Sequence, residues 1–313
     1  MTLLENIPLA PWTTFKLGGP ARWYCPAEKP DDILEALAFA REHTIPWFIL
    51  GRGSNVLVSD HGYNGLVIHL AGLESVDWDC SGGTDLESPA RQRVRCGAGL
   101  AIAALAASAA DRGLSGLEFA GGLPGSVGGA VYMNARAYGS EMADIVTDID
   151  VVTPDGVVMT RNKEDLEYSY KHSALMSNRE IVISVSLDLG IATDPDEKAG
   201  ILNKTAENRS KRVDMGQFTY PNAGCIFKND YDCGIPSGRL IDECGLRGFS
   251  IGGASVFDRH ANFLVNTGSA TAEEVCRLIR HVQRVVREKR GIQLEEEVQY
   301  LGFDDGSGPD SSN

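Results

Sequence analysis

The chain has 313 residues, a hydrophobic content of 43%, a charged content of 23% and a formal net charge of −14. This length exceeds the size at which a single hydrophobic core usually stops growing, so we expect a soluble globular protein of two or three domains. The negative charge argues against nucleic acid or an anionic membrane as partner, and a phosphate-binding site would need its own local positive charge.

The cysteines and the N-terminal residues bear on the cellular compartment. Seven cysteines form an odd set with no Cys-x-x-Cys pair and no zinc-type pairing with histidine, which favours a reducing compartment and no metal site. Residues 1–6 lack the apolar stretch of a signal peptide, and the longest apolar run, residues 100–110, is too short to span a bilayer. We therefore expect a cytoplasmic protein with no membrane, nucleic-acid or obligate protein partner.

The first predicted elements form a small β-α-β unit. A strand over residues 22–25 is followed by a helix that Asp31 or Asp32 could cap and that Pro46 stops, and residues 47–50 form the next strand.

The rest of the chain alternates between strands and helices. An alanine-rich helix over residues 100–112 has Gly113 as its C-cap, and a capping box at residues 271–274 begins a helix whose apolar stripe ends at Gly291. The other predicted segments are strands over residues 67–70, 93–96, 149–153 and 181–189, an exposed loop over 81–90, a linker around 190–196 and a disordered tail over 304–313.

Two glycine-rich stretches suggest a ligand. Residues 51–55 lie between two apolar runs, and residues 116–135 contain six glycines among twenty residues. Glycine tolerates positive φ and lets backbone N–H groups approach phosphate oxygens. Neither stretch contains a Walker or a Rossmann fingerprint, and a tight turn inside an ordinary α/β core is the alternative interpretation. Two such loops in one chain favour a long diphosphate ligand that is held from two sides.

These stretches resemble the flavin-binding region of the UDP-N-acetylenolpyruvoylglucosamine reductases, within the superfamily named for vanillyl-alcohol oxidase and p-cresol methylhydroxylase. The resemblance extends from about Thr13 to Gly302. It implies an α/β (α+β) fold in which a two-lobed FAD-binding domain is joined to a smaller C-terminal α/β substrate domain. The implied boundaries are 1–70 and 71–190 for the two FAD-binding lobes, 191–202 for a linker, 203–303 for the substrate-binding domain and 304–313 for a disordered tail.

The resemblance also implies the cofactors: FAD is bound, and NADPH is the hydride donor. The implied FAD-binding residues are Gly51, Arg52, Gly53, Ser54, Asn55, Val56, Leu57, Gly122, Leu123, Pro124, Gly125, Ser126, Gly128, Gly129, Ala130 and Asn134.

The segment of residues 220–229 carries the first catalytic candidate. Its Pro-Asn-Ala-Gly turn delivers Cys225 onto what we expect to be the start of a strand. The family has Pro-x-x-Gly-Ser/Cys-x-Phe-Lys-Asn here, and its Ser or Cys is the proton donor. A thiol suits this role because its reference pKa of about 8.5 leaves it protonated at neutral pH. The alternative is a small buried cysteine, the commoner role of this residue.

Two further segments carry candidates that the resemblance identifies. In Leu294-Glu295-Glu296-Glu297-Val298 the family pattern Leu-Glu-x-Glu-Val makes Glu297 catalytic, although three successive acids usually form a solvated surface. Where the family has Tyr-Arg-x-Ser, this chain has Tyr170-Lys171-His172-Ser173. Lysine keeps the positive charge of the arginine but not its planar fork, so Lys171 could act only as a point charge. An exposed loop lysine is the alternative.

Positive charge for the nucleotide would come from residues near Cys225. The expected substrate-binding residues are Tyr170, Arg209, Arg212, Lys228, Asn229 and His260. We expect hydrogen bonding rather than acid–base chemistry from His260. Residues 213–217 replace the Thr-Gln-Pro that is common in the family, which leaves open which residues grip the UDP group.

The implied reaction is the NADPH-dependent, FAD-mediated reduction of UDP-N-acetyl-3-O-(1-carboxyvinyl)glucosamine to UDP-N-acetylmuramate for peptidoglycan synthesis. One alternative is another FAD oxidoreductase of the superfamily with a different small substrate, against which the Cys225 and Glu297 motifs argue. The other is a non-catalytic flavoprotein or binding protein, which we would expect to have lost Cys225, Lys228, Asn229 and Glu297 together. All four are present.

Overall fold

The computed structural model describes residues 1–79, 91–230 and 234–303, so the predicted loop over 81–90 and the predicted tail over 304–313 lie outside the described residues. The chain forms two compact units that interleave in sequence. Unit 1 comprises Met1–Leu3, Cys25–Arg52 and Val67–Arg212, and unit 2 comprises Leu4–Tyr24, Gly53–Leu66 and the chain from Val213 onward.

The α-helices in the described residues include one that begins inside the predicted linker. They are α1 (Pro30–Glu42), α2 (Ile102–Asp111), α3 (Val127–Tyr132), α4 (Ala174–Asn178), α5 (Pro195–Asp214), α6 (Ser237–Glu243) and α7 (Ala272–Arg290).

The strands include one at each predicted position and others that were not predicted. They are β1 (Leu4–Pro8), β2 (Pro20–Pro26), β3 (Trp47–Leu50), β4 (Val56–Val58), β5 (Tyr63–His69), β6 (Val76–Asp77), β7 (Arg91–Gly97), β8 (Leu114–Ser115), β9 (Arg136–Ala137), β10 (Ser140–Glu141), β11 (Val146–Val152), β12 (Val158–Asn162), β13 (Ile181–Ile191), β14 (Asn222–Cys225), β15 (Ser250–Ile251), β16 (Ala254–Val256), β17 (Phe263–Asn266) and β18 (Gln299–Leu301).

Unit 1 is built around an antiparallel sheet. Its strand order in the described residues is β12-β11-β13-β7-β6, and β8 pairs with the end of β13. The apolar residues of β11 and those of β13 from Ile181 to Leu189 are buried in nearly continuous runs rather than in strict alternation, so both faces of these two strands are largely covered. The helix α2 is buried along Ile102, Leu105, Ala106, Ala109 and Ala110, and Gly113 follows it with a φ of 73°.

Unit 2 combines a four-stranded antiparallel sheet, in the order β14-β17-β16-β15, with a parallel pair of β18 and β4. The long helix α7 covers this core with a buried stripe that includes Val275, Leu278, Ile279 and Val282. Its predicted capping box at Thr271 and its stop at Gly291, where φ is 71°, are both confirmed.

Two local predictions are wrong for identifiable reasons. The segment around Asp194-Pro195 is a helix start rather than a linker, because Asp194 Oδ1 accepts the N–H groups of Asp196 and Glu197 at 2.9 Å each, with proline at the first helical position. In α1, Lys29 is the N-cap, and Asp32 reaches back to the N–H groups of Glu28 and Lys29.

No helix in the described ranges is long and apolar enough to span a bilayer.

Candidate active site

The turn that carries Cys225 is organised by Asn222 in unit 2. Asn222 Oδ1 accepts the N–H of Gly224 at 2.8 Å, and its Nδ2 donates to the carbonyls of Gln217 and Tyr220 at 2.7 Å each. A register shift in the pairing of β14 with β17 follows, and Gly224 has a φ of 74°. Cys225 is the last residue of β14 and not the first. The bulge before it changes the direction of the backbone and so the direction in which the Cys225 side chain points.

Residues 226 and 227, which follow Cys225, form hydrogen bonds on two sides. On one side, the Asn262 side chain accepts the N–H of Phe227 at 2.9 Å and donates to the carbonyl of Phe227 at 2.8 Å. On the other side, the N–H of Glu297 donates to the carbonyl of Ile226 at 2.7 Å. The backbone of Glu297 thus lies beside the residue that follows Cys225.

The three successive acids have different surroundings, which the sequence does not distinguish. Glu295 is exposed and forms an ion pair with Lys228. Glu296 accepts a hydrogen bond from Gln283 at 2.8 Å and another from the hydroxyl of Tyr300. The carbonyl of Glu297 accepts a hydrogen bond from Asn55 Nδ2 at 3.0 Å. Only Glu297 is held by both the Cys225 segment and the predicted cofactor loop.

A cavity of about 340 Å³ lies beside Cys225 and includes three arginines among its lining residues. Arg247 is bound to Asp242 through two hydrogen bonds and Arg239 to Glu243 through one. Arg259 is exposed and forms no ion pair or hydrogen bond with another residue in the described parts of the chain. The lining residues are Cys225, Asn229, Pro236, Gly238, Arg239, Asp242, Arg247, Arg259, His260, Ala261 and Asn262.

His260 and Asn229, two predicted substrate residues, also line this cavity. The His260 ring stacks on Phe263 with ring centroids 4.2 Å apart, and its buried Nδ1 has no hydrogen-bond partner among the described residues. Burial lowers the pKa of His260, and the Arg247 guanidinium contributes in the same direction, so the neutral ring is favoured. Asn229 Oδ1 accepts the N–H of Ser237 at the start of α6 at 3.0 Å.

In unit 1, the glycine-rich stretch leads into α3 through close backbone contacts. Ser126 is the N-cap and accepts the N–H of Gly129 at 3.2 Å. A Cβ at Gly51 would lie 2.6 Å from Ser126 Oγ, and a Cβ at Gly128 would lie 2.7 Å from the Cβ of Ala98. Glycine is required at these two positions for close packing, independently of any ligand.

The backbone of both predicted cofactor loops offers hydrogen-bond donors that suit a diphosphate. In unit 1, the N–H groups of Gly122, Gly125 and Ser126 donate to no other described residue. In unit 2, the same holds within the described ranges for the N–H groups of Gly53 and Ser54. Such groups favour anionic oxygens. The loops therefore fit the diphosphate of FAD.

Other residues of the predicted FAD set support the loops. Arg52 donates to the carbonyl of Gly99 at 3.1 Å and pairs with Glu74. Val56 and Leu57 are buried in β4, and Ala130 is buried in α3. Leu123 and Pro124 are half-buried on the loop.

Side chains of helix α5 donate hydrogen bonds to the backbone of the glycine-rich stretch. The Arg212 guanidinium is buried and donates to the carbonyls of Gly121 and Phe119 at 3.2 and 3.4 Å, and Asn208 donates to the carbonyl of Glu118 at 2.8 Å. Arg209 is exposed, and a Cβ at Gly122 would lie 3.1 Å from its Cγ. Arg212 therefore supports the loop, whereas Arg209 places a positive charge beside it.

Lys171 lies in a strained tight turn of unit 1. Ser169 and His172 exchange backbone hydrogen bonds at 3.1 and 3.3 Å, with Tyr170 and Lys171 between them, and Lys171 has a φ of 55°. Asn134 Nδ2 donates to the carbonyl of Ser169 at 3.1 Å. A left-handed conformation is unfavourable for lysine and persists only where the surroundings impose it, which is common at functional sites.

The structure groups the predicted residues by unit. Cys225, Lys228, Asn229, His260 and Glu297 share unit 2 with Gly53–Leu57, whereas residues 122–134, Tyr170, Lys171, Arg209 and Arg212 share unit 1 with Gly51 and Arg52.

The sequence reasoning missed Asn262 and three arginines of the cavity. The usable signals were a basic residue before His-Ala-Asn-Phe, for Arg259, and the Gly-Leu-Arg-Gly turn, for Arg247.

The chain is similar to known proteins over nearly its whole length. A family model described as "UDP-N-acetylenolpyruvoylglucosamine reductase, C-terminal domain" matches residues 216–301, and one described as "FAD binding domain" matches residues 21–161. The UDP-N-acetylenolpyruvoylglucosamine reductase of Agathobacter rectalis is 41% identical over 304 residues, which cover 96% of this chain and 94% of that protein.

Solved structures give the same result. A UDP-N-acetylenolpyruvylglucosamine reductase from Thermus caldophilus matches with a TM-score of 0.75 and 34% identity, covering 96% of this chain and 98% of that one. A VAO-type flavoprotein from Myceliophthora thermophila C1 shares the fold alone, with a TM-score of 0.50, 14% identity and coverage of 86% and 70%. The predicted α/β (α+β) fold class, with an FAD-binding domain of the vanillyl-alcohol oxidase type and a smaller C-terminal domain, is confirmed.

Proposed function

Because this chain belongs to the UDP-N-acetylenolpyruvoylglucosamine reductase family, we propose that it reduces UDP-N-acetyl-3-O-(1-carboxyvinyl)glucosamine to UDP-N-acetylmuramate in peptidoglycan precursor synthesis. The observation that carries the proposal is the position of Cys225. Its segment lines an arginine-rich cavity of about 340 Å³ and forms a hydrogen bond with the backbone of Glu297. Bound FAD would supply the hydride chemistry, with NADPH as its reductant.

The cavity of unit 2 is the proposed site for the nucleotide. Its charge suits a diphosphate, since Arg259 has no ion-pair partner among the described residues and a guanidinium can bind phosphate oxygens with two parallel hydrogen bonds. Arg239 and Arg247 already bind acidic side chains. We therefore assign the main phosphate contact to Arg259, a residue outside the altered segment 213–217.

Cys225 is the proposed proton donor. Reduction of the vinyl group leaves negative charge on the carbon that bears the ether oxygen and the carboxylate. Transfer of the thiol proton to that carbon completes the product and leaves a thiolate, which solvent reprotonates. Because burial lowers the pKa of His260, its neutral ring is favoured and adds no further positive charge to the arginines of the cavity.

Lys171 and Glu297 have complementary proposed roles. The Lys171 ammonium would stabilise the carboxylate while it takes up the developing negative charge, as a point charge in place of the arginine of the family. Glu297 would set the polarity around the reacting carbon, and the hydrogen bonds to its N–H and carbonyl fix its backbone for that purpose.

We also propose that the enzyme works in the cytoplasm. The cysteines in the described residues are not joined in disulfides, which is compatible with a reducing compartment.

The test is an anaerobic stopped-flow experiment on the two half-reactions. We expect NADPH to bleach the flavin and the enolpyruvyl nucleotide to restore its oxidised spectrum. Cys225→Ala should slow only the second step, by roughly 10²–10⁴-fold, because it removes a positioned acid. Cys244→Ala, which removes a buried thiol of the unit 2 core, is the matched control and should retain both steps.

Two results would contradict the proposal. A flavin that NADPH reduces but the nucleotide fails to reoxidise would indicate another oxidoreductase of the superfamily. A flavin that NADPH does not bleach would indicate a non-catalytic flavoprotein.

A further inference from the structure

We infer that Asn55 and Asn134 are positioning residues, each of which couples a cofactor loop to a catalytic segment of the reaction proposed above. Both stand at the C-terminal end of a loop that the sequence assigns to FAD. In both, the side-chain amide reaches away from its own loop to the backbone of a segment that carries a catalytic candidate. The inference rests on the proposed function, because the proposed reaction identifies Glu297 and Lys171 as catalytic.

Asn55 connects the first loop to Glu297 within unit 2. Its Nδ2 donates to the carbonyl of Glu297 at 3.0 Å, and its own carbonyl accepts the N–H of Gln299 at 2.9 Å. These bonds begin the parallel pairing of β4 with β18, in which Val56 faces Gln299. Glu297 is therefore placed by two partners, since the carbonyl of Ile226, next to Cys225, accepts its N–H and Asn55 of the cofactor loop donates to its carbonyl.

Asn134 connects the glycine-rich loop to the Lys171 turn within unit 1. It is 1% exposed and has a φ of 46°. Its Nδ2 donates to the carbonyl of Ser169 at 3.1 Å, and its Oδ1 accepts the N–H of Ala143 at 3.0 Å. The carbonyl of Ser169 is also the acceptor that closes the turn around Lys171.

A second contact reinforces the same connection. The hydroxyl of Ser173 donates to the carbonyl of Tyr132, the last residue of α3, at 2.6 Å. The turn is thus bound at its first residue by Asn134, which follows α3, and the residue after the turn is bound to the last residue of that helix. This arrangement explains how a lysine is kept in the left-handed conformation.

We therefore expect that fixing the conformation of each cofactor loop also fixes the position of the catalytic segment to which its asparagine is bound. A loop whose free N–H groups are satisfied by phosphate oxygens is held in one conformation, and its terminal asparagine is then held with it. Small misplacements of a catalytic group slow a reaction strongly. We therefore expect the asparagines to affect the step that uses Glu297 and Lys171 more than they affect cofactor affinity.

The test uses the variants Asn55→Ala and Asn134→Ala, which remove the donating Nδ2 without adding a charge beside the N–H groups assigned to the phosphates. The dissociation constant for FAD, from quenching of flavin fluorescence, should change by less than about threefold, whereas nucleotide-dependent reoxidation should slow by about tenfold or more. Reduction by NADPH should keep its rate. Asn266→Ala is the control, because Asn266 is a buried amide of unit 2 that donates to the carbonyl of Phe15 at 3.2 Å.

Two outcomes would overturn the inference. If FAD affinity falls while saturated enzyme reacts normally, the asparagines are cofactor ligands. If the two half-reactions slow equally, the variants cause general disorder. Failure of the wild-type nucleotide step alone would instead refute the proposed function.

If the variants do not fold, the inference can still be tested on the unmodified chain, by a measurement that does not depend on turnover. Hydrogen exchange is followed for the N–H groups of Gln299 and Ala143, which donate to Asn55 and Asn134, with and without FAD. We expect FAD to slow both by about fivefold or more. The N–H of Gly291, which donates to Arg287 at the end of α7, should be unaffected. Equal exchange with and without FAD at both sites would overturn the inference.

Discussion

Replacing Lys171 by glycine should make the protein more stable and the reaction slower. Lys171 has a φ of 55°, a conformation that costs a side chain with a Cβ roughly 1–2 kcal/mol. Glycine adopts it without this cost but loses about 0.5–1 kcal/mol through the greater freedom of the unfolded chain. The difference between these backbone contributions is a gain of about 0–1.5 kcal/mol in the free energy of unfolding, or up to roughly 4 °C in Tm.

The same substitution removes the ammonium that we assign to the carboxylate of the substrate. Loss of a preorganised charge that stabilises developing negative charge typically costs about 10²–10³ in rate. Only nucleotide-dependent reoxidation of the flavin should show this loss, because the reduction of the flavin by NADPH does not involve that carboxylate.

Lys16 provides the matched control, since it is a lysine with a φ of 57° on an exposed turn of unit 2. Lys16→Gly should give a similar or smaller rise in Tm, because it also removes the exposed hydrogen bond from Lys16 Nζ to the carbonyl of Pro11 at 2.8 Å, and both half-reactions should be unchanged. The measurements are thermal unfolding and anaerobic stopped-flow on both variants. A Tm for Lys171→Gly below that of the unmodified protein would refute the strain argument, and an unchanged reoxidation rate would refute the charge assignment.

Three further predictions concern binding, stability and pH. Arg259→Ala should raise the KM for the nucleotide by roughly 10–100-fold in steady-state assays, because it removes a charge-assisted contact, whereas Arg239→Ala, whose guanidinium already binds Glu243, should have a smaller effect. Asp60→Ala should lower stability by about 1–2 kcal/mol in urea unfolding without slowing either half-reaction, because Asp60 accepts the first two N–H groups of α7 at 2.9 and 3.1 Å. Burial lowers the pKa of His260 in the folded state, so below a pH of about 6.5 the unfolded chain binds the extra proton and stability falls as the pH falls; His260→Gln should weaken this acid dependence, and an unchanged dependence would contradict it.

Much of the fold is predictable because it follows from local patterns. The strand at Trp47–Leu50 and the helix between Thr271 and Gly291 agree with their apolar periodicity and their caps. The helix α5 was missed because Asp194-Pro195 is compatible with both a linker and a helix start. What distinguishes them is packing, since Arg212 lies under the glycine-rich stretch.

Candidate site residues can be named from the sequence one by one, but their hydrogen-bond partners cannot. Cys225 and Glu297 are visible through motifs, whereas the hydrogen bond from Asn55 to Glu297 joins residues 242 positions apart. No pattern in the sequence indicates such a partner, because a side-chain amide can bind any backbone carbonyl that the fold brings near it. For the same reason, the sequence could not distinguish Arg212, which is buried under a loop, from Arg209, which is exposed.

The net charge of −14 poses no obstacle to anion binding in this chain, because the relevant quantity is the charge within a short distance of the site. At physiological ionic strength the interactions of exposed charges are largely screened beyond about 8 Å. Within the described residues, Arg209 beside Gly122 and Arg259 in the cavity have no acidic partner, whereas Arg52, Arg239 and Arg247 are neutralised by ion pairs. Of these five arginines, only the two that we propose for phosphate contacts therefore lack a neighbouring carboxylate that offsets their positive charge.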